Sequence, residues 1–375
     1  MKCKLAVALM LLIIVFTGCT GDKLTGEVVK DDVFRIGSVQ AFTGKASWYA
    51  EQVKRGTDMA LNDINSEGGI NGKRLEILYE DSMFEQKRAL SAVRKLFQDD
   101  GVSVIIGPTG SSNVMAVAPV ANELQKIIFA TVASTPRIKD AGDFVFRNSI
   151  SGDVHGEYMA EYAYNVLGAR TASTLYLNLA NGVDYNDAFV MRFEELGGTV
   201  VVQESYEKGL NDFRTQLTKI KMSNPDVVYF AGLSVGVAVK QTREMGIDQK
   251  ILAPVTVETQ ELLDIAGEAA EGILYTAPNF NPESSDENIV KFVADYKAMY
   301  NNTPTKLVAD AYDAVMVMSL ALELCGDDDA ECIRDALYDL DKYEGLVGVT
   351  TFDEFGEVSK PLVIKIVEKE KFVFV

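Results

Sequence analysis

The sharpest chemical signal in the sequence is a glycine-rich turn in the segment Val104–Asn113 (VIIGPTGSSN), between a buried apolar run and a helix-period segment. Ser111 and Ser112 stand where that helix would begin. The first N–H groups of a helix lack internal partners and lie at the positive end of its dipole, so the turn suits an anion such as a carboxylate. A plain helix cap is the alternative interpretation of the two serines. The GxxxxGKS/T pattern of nucleotide-binding loops is absent from the sequence.

Two further segments carry side chains that a ligand can contact beside this turn. Ala133, Ser134 and Thr135 follow another apolar run, and neighbouring strands of a parallel sheet end at the same edge, where ligands bind. Trp48 and Tyr49 follow the first apolar run and reach that edge as well. Aromatic rings there would cover an apolar ligand, unless they pack on their own helix.

Acid–base catalysis and metal binding have few candidate residues. The chain contains a single histidine, His155, on which histidine chemistry would have to rest. Without it, hydrolysis would need a carboxylate pair, for which Asp184 and Glu258 are the candidates. We therefore expect no enzyme, no metal site and no cofactor.

The first nineteen residues have the parts of a secretory signal. Lysines precede an apolar run from Leu5 to Phe16, which is too short for a membrane-spanning helix of about 20 residues. The run continues through Thr17 and Gly18 to Cys19, similar to a bacterial lipobox with its lipidated cysteine. We expect a signal peptide over residues 1–18, a lipid on Cys19 and a tether over 19–31. An uncleaved anchor is the alternative.

We expect the protein to lie at the outer face of the cytoplasmic membrane or in the periplasm. With 36 Lys and Arg against 55 Asp and Glu, the net charge of -19 repels nucleic acids and anionic lipids. We therefore expect no nucleic-acid partner and membrane contact only through the N-terminal lipid. Cys325 and Cys332 bracket a polar loop, so an oxidising compartment predicts a disulfide; unlinked thiols are the alternative.

The elements that must position these residues alternate between strand and helix. The alternation begins at Phe34, restarts with a helix at Val154–Leu167, and later includes a helix at Asp187–Leu196. This order predicts an α/β fold of two doubly wound parallel sheets with helices on both faces. Strands are expected first at Phe34–Val39, Arg74–Tyr79, Val102–Ile106 and Ile127–Val132, and helices at Tyr49–Ser66, Glu85–Gln98 and Asn113–Gln125.

The C-terminal third breaks the alternation. Three helix-period segments, Glu287–Tyr300, Lys306–Leu324 and Ala330–Leu340, follow each other without a strand, and short strand runs close the chain. Helices without their own sheet must pack on one already built, so we expect the chain to cross between two lobes more than once. The cleft between such lobes is the natural ligand site.

Several segments resemble one family over nearly the whole mature chain: the type I periplasmic binding proteins of the leucine/isoleucine/valine-binding class. The resemblance implies a three-strand hinge, with crossings near residues 149, 276 and 347. Lobe 1 would comprise residues 32–149 plus 277–346, and lobe 2 residues 150–276 plus 347–375. The segments are Asp63–Gly72 (DINSEGGING), Val104–Ser112, Ala133–Pro136, Asp264–Gly272 (DIAGEAAEG) and Phe352–Gly356 (FDEFG).

The resemblance also implies ligand contacts in lobe 1. A serine at the helix start would bind the α-carboxylate of an amino acid, and an aromatic ring would cover its side chain. The residues are Ser111 for the carboxylate, Ser134 or Thr135 for carboxylate and ammonium, the carbonyl of Val132 or Ala133, and Tyr49, with Trp48 adjacent, over the side chain.

Lobe 2 departs from the family pattern. Asn181 and Leu233 stand where the family has cleft tyrosines, and Val255 stands where it has the acid that neutralises the ligand's ammonium. A buried ammonium without a counter-charge is unfavourable, so an amino-acid ligand requires Asp184 or Glu258 in the site. Without either acid, a carboxylate or an amide that lacks an amino group is expected instead.

The resemblance implies a receptor that closes around a branched-chain or other hydrophobic amino acid and passes it to the permease subunits of an ABC importer. A sensor module that presents its ligand to a signalling receptor would have the same fold and is the alternative.

Overall fold

A computed structural model describes residues 33–44, 46–233 and 235–375 of the chain. The expected signal peptide, the lipid on Cys19 and the tether lie outside these residues. Within the described ranges, no helix is both long enough and apolar enough to cross a membrane.

The first lobe is built on a parallel sheet whose strands are β1 (Val33–Gln40), β2 (Arg74–Asp81), β3 (Val104–Ile106), β4 (Ile127–Ala130) and β5 (Val145–Arg147). Their spatial order is β2-β1-β3-β4-β5. The connecting helices are α1 (Ser47–Ser66), α2 (Gln86–Arg94), extended by a π turn at Lys95–Asp99, and α3 (Ser111–Leu124). A short 3-10 turn, Pro136–Asp140, follows β4.

The second lobe repeats this plan with β6 (Thr171–Leu177), β7 (Thr199–Tyr206), β8 (Val227–Ala231), β9 (Lys250–Ala253) and β10 (Leu274–Pro278). Its helices are α4 (Gly152–Glu161), extended by a π turn at Tyr162–Val166, α5 (Ala180–Glu195), α6 (Arg214–Ser223), α7 (Gly236–Glu244) and α8 (Gln260–Ala266). Strands β3 and β8 are buried at every position, because helices cover both faces of each sheet. Their sequences therefore read as unbroken apolar runs, and the predicted α/β class is confirmed.

The C-terminal third contributes elements to both lobes. Helices α9 (Glu287–Tyr300), α10 (Lys306–Cys325) and α11 (Ala330–Tyr338) follow one another as predicted. A small antiparallel sheet comes next, with strands β11 (Tyr343–Gly345), β12 (Gly348–Phe352) and β13 (Val358–Ser359). Finally β14 (Leu362–Glu368) and β15 (Lys371–Phe374) extend the second sheet, whose order is β15-β14-β10-β9-β8-β6-β7. Cys325 and Cys332 form a disulfide across the α10–α11 turn.

The third crossing between the lobes corrects the expected position near residue 347. Phe352 of β12 packs edge-on against Phe129 and Phe146 of the first sheet, with ring centroids 5.7 and 5.6 Å apart. The chain joins the second sheet only where Leu362 pairs with Pro278. The crossing therefore lies between β13 and β14, and residues 348–359 pack on the first lobe.

Buried polar contacts hold the crossings. Asp310 of α10 lies 3.1 Å from Nζ of Lys360, just before β14, and both side chains are buried. Its backbone carbonyl accepts a hydrogen bond of 2.8 Å from Asn148 Nδ2, just after β5. In the second lobe, His155 Nδ1 lies 2.8 Å from Thr276 Oγ1 in β10. The first and third crossings are thus joined through one residue of α10.

Candidate functional site

Ser111 is the first residue of α3, at the carboxyl edge of the first sheet. Its Oγ accepts hydrogen bonds from the backbone N–H groups of Ser134 and Thr135, at 3.1 and 3.2 Å. A hydroxyl has two acceptor positions and one proton to donate. Because both acceptor positions are used, Ser111 can still donate its hydroxyl proton, which suits an anionic ligand. The helix-cap interpretation does not hold for Ser111, since Gly110 occupies the cap position. Ser112, the next residue, is exposed.

The carbonyl groups at the end of β4 already accept hydrogen bonds. The Val132 carbonyl accepts from the Gly110 N–H at 2.8 Å, and the Ala133 carbonyl accepts from Ser149 Oγ at 2.8 Å. The Ser134 carbonyl accepts from the N–H of Gly152 at 2.7 Å. Contacts with a ligand at this strand end therefore fall mainly to the side-chain hydroxyls.

Thr135 places a buried hydroxyl at this strand end. The residue is 3% exposed, and its Oγ1 has no hydrogen-bond partner within the described part of the chain. Its carbonyl accepts a 2.7 Å hydrogen bond from the buried guanidinium of Arg147, which also pairs with Glu357. A buried hydroxyl without a partner is unfavourable, so the Thr135 side chain is poised to bond a bound group.

Asp184 of the second lobe faces that hydroxyl from the N-terminal part of α5. Burial raises the pKa of the Asp184 carboxyl, although the nearby Thr135 hydroxyl lowers it. The negative charges of Asp153 and Asp187 raise it further. The Oδ2 atom of Asp184 is buried and, like Thr135 Oγ1, has no hydrogen-bond partner among the described residues. The Thr135 hydroxyl and the Asp184 carboxylate thus face each other from opposite lobes: they are close enough for the hydroxyl to lower the carboxyl pKa, and neither Thr135 Oγ1 nor Asp184 Oδ2 has another partner among the described residues.

Tyr185, a residue that the sequence interpretation missed, lies beside Asp184 and reaches the same strand end. Burial raises its pKa to about 12, while the Ser134 hydroxyl and the Arg147 charge act in the opposite direction. Tyr185 was missed because helix α5 was expected to begin at Asp187, whereas it begins at Ala180. Asn181, in the first turn of α5, is half-buried.

The two aromatic residues of α1 lie at the edge of the first lobe. The rings of Trp48 and Tyr49 pack edge-on with centroids 5.0 Å apart. Trp48 is exposed, whereas burial raises the pKa of the half-buried Tyr49, and the charge of Glu261 in α8 raises it further. Tyr49 therefore faces the second lobe. Leu233, just after β8, exposes its side chain, while its carbonyl accepts a 3.0 Å hydrogen bond from the Tyr206 hydroxyl.

Glu258, the other acid considered for an ammonium group, already has a partner. Its Oε1 lies 2.8 Å from the Nζ of Lys365 in β14, a side chain that is nearly buried. The carboxylate is also close to the hydroxyl of Tyr275 and raises the pKa of that tyrosine, together with burial. Among the described residues, Glu258 Oε2 and Asp184 Oδ2 both lack a hydrogen-bond partner, so the two acids differ in charge and not in free oxygens. Because Lys365 neutralises Glu258, the structure favours Asp184 as the acid with an uncompensated negative charge.

The sequence also contains a GxSxG run, Gly232–Gly236 (GLSVG), between β8 and α7, a spacing found in hydrolase nucleophile turns. Ser234 itself lies outside the described residues. The single histidine, His155, is buried, and its Nδ1 contacts Thr276. Burial lowers its pKa to about 3, as do the charges of Lys306 and Arg147. A histidine in that setting is poorly suited to act as a general base near neutral pH.

Two α/β lobes, with the Thr135 hydroxyl after β4 of one facing the Asp184 carboxylate in α5 of the other, have the architecture of a bilobal solute-binding protein. The family model described as periplasmic binding protein matches residues 33–370, and the chain belongs to that family. A leucine-, isoleucine-, valine-, threonine- and alanine-binding protein from Pseudomonas aeruginosa is 27% identical over 335 residues, 87% of either chain.

Solved structures give the same result. A leucine-binding protein from Thermotoga maritima superposes with a TM-score of 0.83 at 29% identity, covering 91% of this chain and 97% of that one. A branched-chain amino acid transporter substrate-binding protein from Streptococcus pneumoniae, solved with isoleucine, gives a TM-score of 0.81 at 26% identity, with 91% and 97% covered.

Proposed function

We propose that the protein is a receptor for a hydrophobic α-amino acid, which it delivers to the permease subunits of an ABC importer. The observation that carries this proposal is that Thr135 Oγ1 and Asp184 Oδ2 face each other from opposite lobes and have no other partner in the part of the chain that the structure describes. An α-amino acid carries a carboxylate and an ammonium on one carbon, and these complement a hydroxyl donor and a carboxylate acceptor. The relatives described above, one named for binding leucine, isoleucine, valine, threonine and alanine and one solved with isoleucine, support the same class of ligand.

The carboxylate end of the ligand is assigned to the first lobe. Ser111 donates its proton there, and the start of α3 adds the positive end of its dipole. Thr135 donates beside it. The exposed Ser112 and the bonded carbonyl of Ala133 take a smaller part, and Ser134 contacts Tyr185 instead.

The ammonium end is assigned to Asp184. Val255 is apolar and Glu258 is neutralised by Lys365, so neither supplies a free negative charge. Asp184 has an unpaired oxygen and lies near Thr135, as an α-ammonium next to an α-carboxylate requires. Asn181 and Leu233 contribute lining without a charge.

Transport by this receptor involves no bond chemistry. A ligand held by Ser111 and Thr135 gains contacts with Asp184 only when the lobes are closed, so binding shifts a two-state equilibrium toward closure. The permease then recognises the closed shape. We propose no catalytic activity, no metal and no cofactor.

The proposed location rests on the N-terminal sequence. Cleavage before Cys19 and lipidation of that residue would hold the protein at the outer face of the cytoplasmic membrane through a tether of residues 19–31. The Cys325–Cys332 disulfide suits that oxidising compartment.

A thermal-shift panel tests the proposed ligand class. Hydrophobic L-amino acids are expected to raise the Tm of the purified protein, because a ligand that binds only the folded state stabilises it by mass action. A receptor for a carboxylate without an amino group is the second candidate, and it rests on Val255, the apolar residue at the family's acid position. It would replace the first candidate if an aliphatic or aromatic carboxylate raised the Tm while no amino acid did.

Uptake of the radiolabelled ligand by cells with and without the gene tests the transport role. Loss of high-affinity uptake supports an importer receptor. Unchanged uptake, together with binding by the purified protein, would favour the sensor alternative.

A further inference from the structure

We propose that Phe84, in the loop between β2 and α2, determines ligand specificity by forming a wall for a large apolar side chain, such as that of leucine or phenylalanine. The inference rests on the proposed function, because it concerns the side chain of the same amino-acid ligand. It adds a residue outside the segments that carry the family resemblance.

The loop holds Phe84 in an unfavourable backbone conformation. Met83 and Phe84 have φ values of 51° and 62°, in the left-handed region that residues other than glycine rarely adopt. The N–H of Met83 donates a 2.9 Å hydrogen bond to Asp81 Oδ1, and buried Ser82 donates through Oγ to the Gln40 carbonyl at 3.0 Å. The Glu85 N–H donates to the Ser82 carbonyl at 2.8 Å and closes a tight turn with Met83 and Phe84 at its centre, which fixes the position of Phe84.

That conformation places the Phe84 ring against the start of the carboxylate site. A Cβ atom on Gly110 would lie 2.5 Å from Phe84 Cε2, so the ring rests directly on the backbone of Gly110. Gly110 immediately precedes Ser111, the proposed carboxylate donor. The neighbouring Gln86 donates a 3.3 Å hydrogen bond to the Ser112 carbonyl, which fixes the loop over the start of α3.

The ring is nevertheless left uncovered by the protein. Phe84 is 46% exposed, and Met83 beside it is 37% exposed. Trp48, at the same edge of the first sheet, is exposed too. The second lobe presents Leu179 and Leu233, both exposed, just after the carboxyl ends of β6 and β8.

Each of these exposed residues follows the carboxyl end of a strand, and exposed large apolar side chains at a binding edge mark a surface that a ligand can cover. An alanine side chain has one methyl group and covers little of such a surface, whereas leucine or phenylalanine covers much more. The site should therefore prefer amino acids with large apolar side chains. Polar or small amino acids gain only the carboxylate and ammonium contacts.

Calorimetric titration of the wild type and Phe84→Ala with phenylalanine, leucine, valine and alanine tests the inference. We expect Phe84→Ala to raise the Kd for leucine and phenylalanine about 10-fold, a loss typical of one apolar contact, and the Kd for alanine less than about 3-fold. Phe355→Ala is the matched control, since Phe355 is also exposed but lies in the turn between β12 and β13. It should leave every Kd unchanged.

The outcomes separate this inference from the proposed function. An equal loss for leucine and alanine, or no change for either, would overturn the role of Phe84 while amino-acid binding stood. A wild type that binds no amino acid would overturn both. If Phe84→Ala failed to fold by circular dichroism, Phe84→Leu, which keeps an apolar group, should weaken phenylalanine binding more than alanine binding, and an unchanged ratio would count against the proposal.

Discussion

The hydroxyl of Ser111 accepts a hydrogen bond from the backbone N–H of Thr135 at 3.2 Å, which joins the start of α3 to the end of β4. A second bond, from the Ser134 N–H, fills the other acceptor position. The serine is thus both a structural link and an oriented donor. The same contact sets the position of the Thr135 side chain, so the two lobe-1 hydroxyls form one unit.

Replacing Ser111 by alanine should weaken amino-acid binding about 10- to 100-fold. The substitution removes a donor to a charged carboxylate, and such hydrogen bonds are worth about 1.5–3 kcal/mol. Ser112→Ala is the matched control and should change the Kd less than about 2-fold, because Ser112 is exposed. Calorimetric titration measures both, and equal effects of the two variants would contradict the assignment of the donor.

Asp184→Asn should reduce the affinity for an amino acid about 100-fold, since an amide cannot neutralise a desolvated ammonium. Glu258→Gln should have a much smaller effect, because Lys365 already pairs with that carboxylate. Titrations of leucine into both variants decide between the two acids. A larger loss from Glu258→Gln would move the ammonium site to Glu258.

The affinity should also fall at low pH. The pKa of Asp184 is raised in the ligand-free protein, and an ammonium would favour the ionised carboxylate. Protonation of Asp184 therefore competes with ligand binding, and the Kd should rise as the pH falls through that raised pKa. Asp184→Asn should lack this dependence; a parallel pH profile in wild type and variant would exclude Asp184 as the titrating group.

His155 should make the protein less stable in mild acid. Its pKa is about 3 in the folded state, against about 6.5 for an unperturbed histidine. The unfolded chain therefore binds the proton first, and stability that is present above pH 6.5 is lost as the pH falls toward 3. Between pH 7 and 5 the free energy of unfolding should fall about 2 kcal/mol more in wild type than in His155→Asn. Denaturant titrations at both pH values check this, and equal losses would contradict the burial of a neutral histidine.

Removing the buried ion pair between Asp310 and Lys360, which lies near the crossings between the lobes, should destabilise the protein. Among the described residues, Lys360→Met leaves Asp310 with the more distant Lys306, 3.5 Å away, as its cationic partner, and we expect a loss of about 3 kcal/mol in the free energy of unfolding. Lys342→Met removes an exposed pair with Glu344 and should leave stability unchanged. Urea denaturation compares the two, and an equally stable Lys360→Met variant would show that this ion pair does not hold the crossings.

Much of the architecture follows from apolar patterns alone. The apolar run Ile127–Val132 predicts β4, which begins at Ile127 and ends at Ala130, because a strand covered on both faces must be apolar throughout. Helix α5 was predicted too short, since its first turns contain Asn181 and Gly182, which interrupt the helical pattern. The short run at β12 predicts a strand but carries no sign of which sheet lies beside it. The third crossing was misplaced for that reason.

The site could be predicted only where local sequence determines geometry. A serine after a glycine-rich turn marks the start of a helix, and Ser111 lies there. The choice between Asp184 and Glu258 depends on Lys365, which lies 107 residues beyond Glu258 and contacts it only after the second sheet forms. The exposure of Phe84 likewise depends on a backbone conformation that its residue type does not signal.

The most direct test of the account compares leucine with 4-methylpentanoate, which has the same carbon skeleton and carboxylate but no amino group. Binding of leucine should be at least about 100-fold tighter by calorimetry, because the amino-free acid leaves the Asp184 carboxylate buried without a partner. Equal or tighter binding of 4-methylpentanoate would contradict the claim that the two lobes hold an α-amino acid between a hydroxyl donor and a carboxylate.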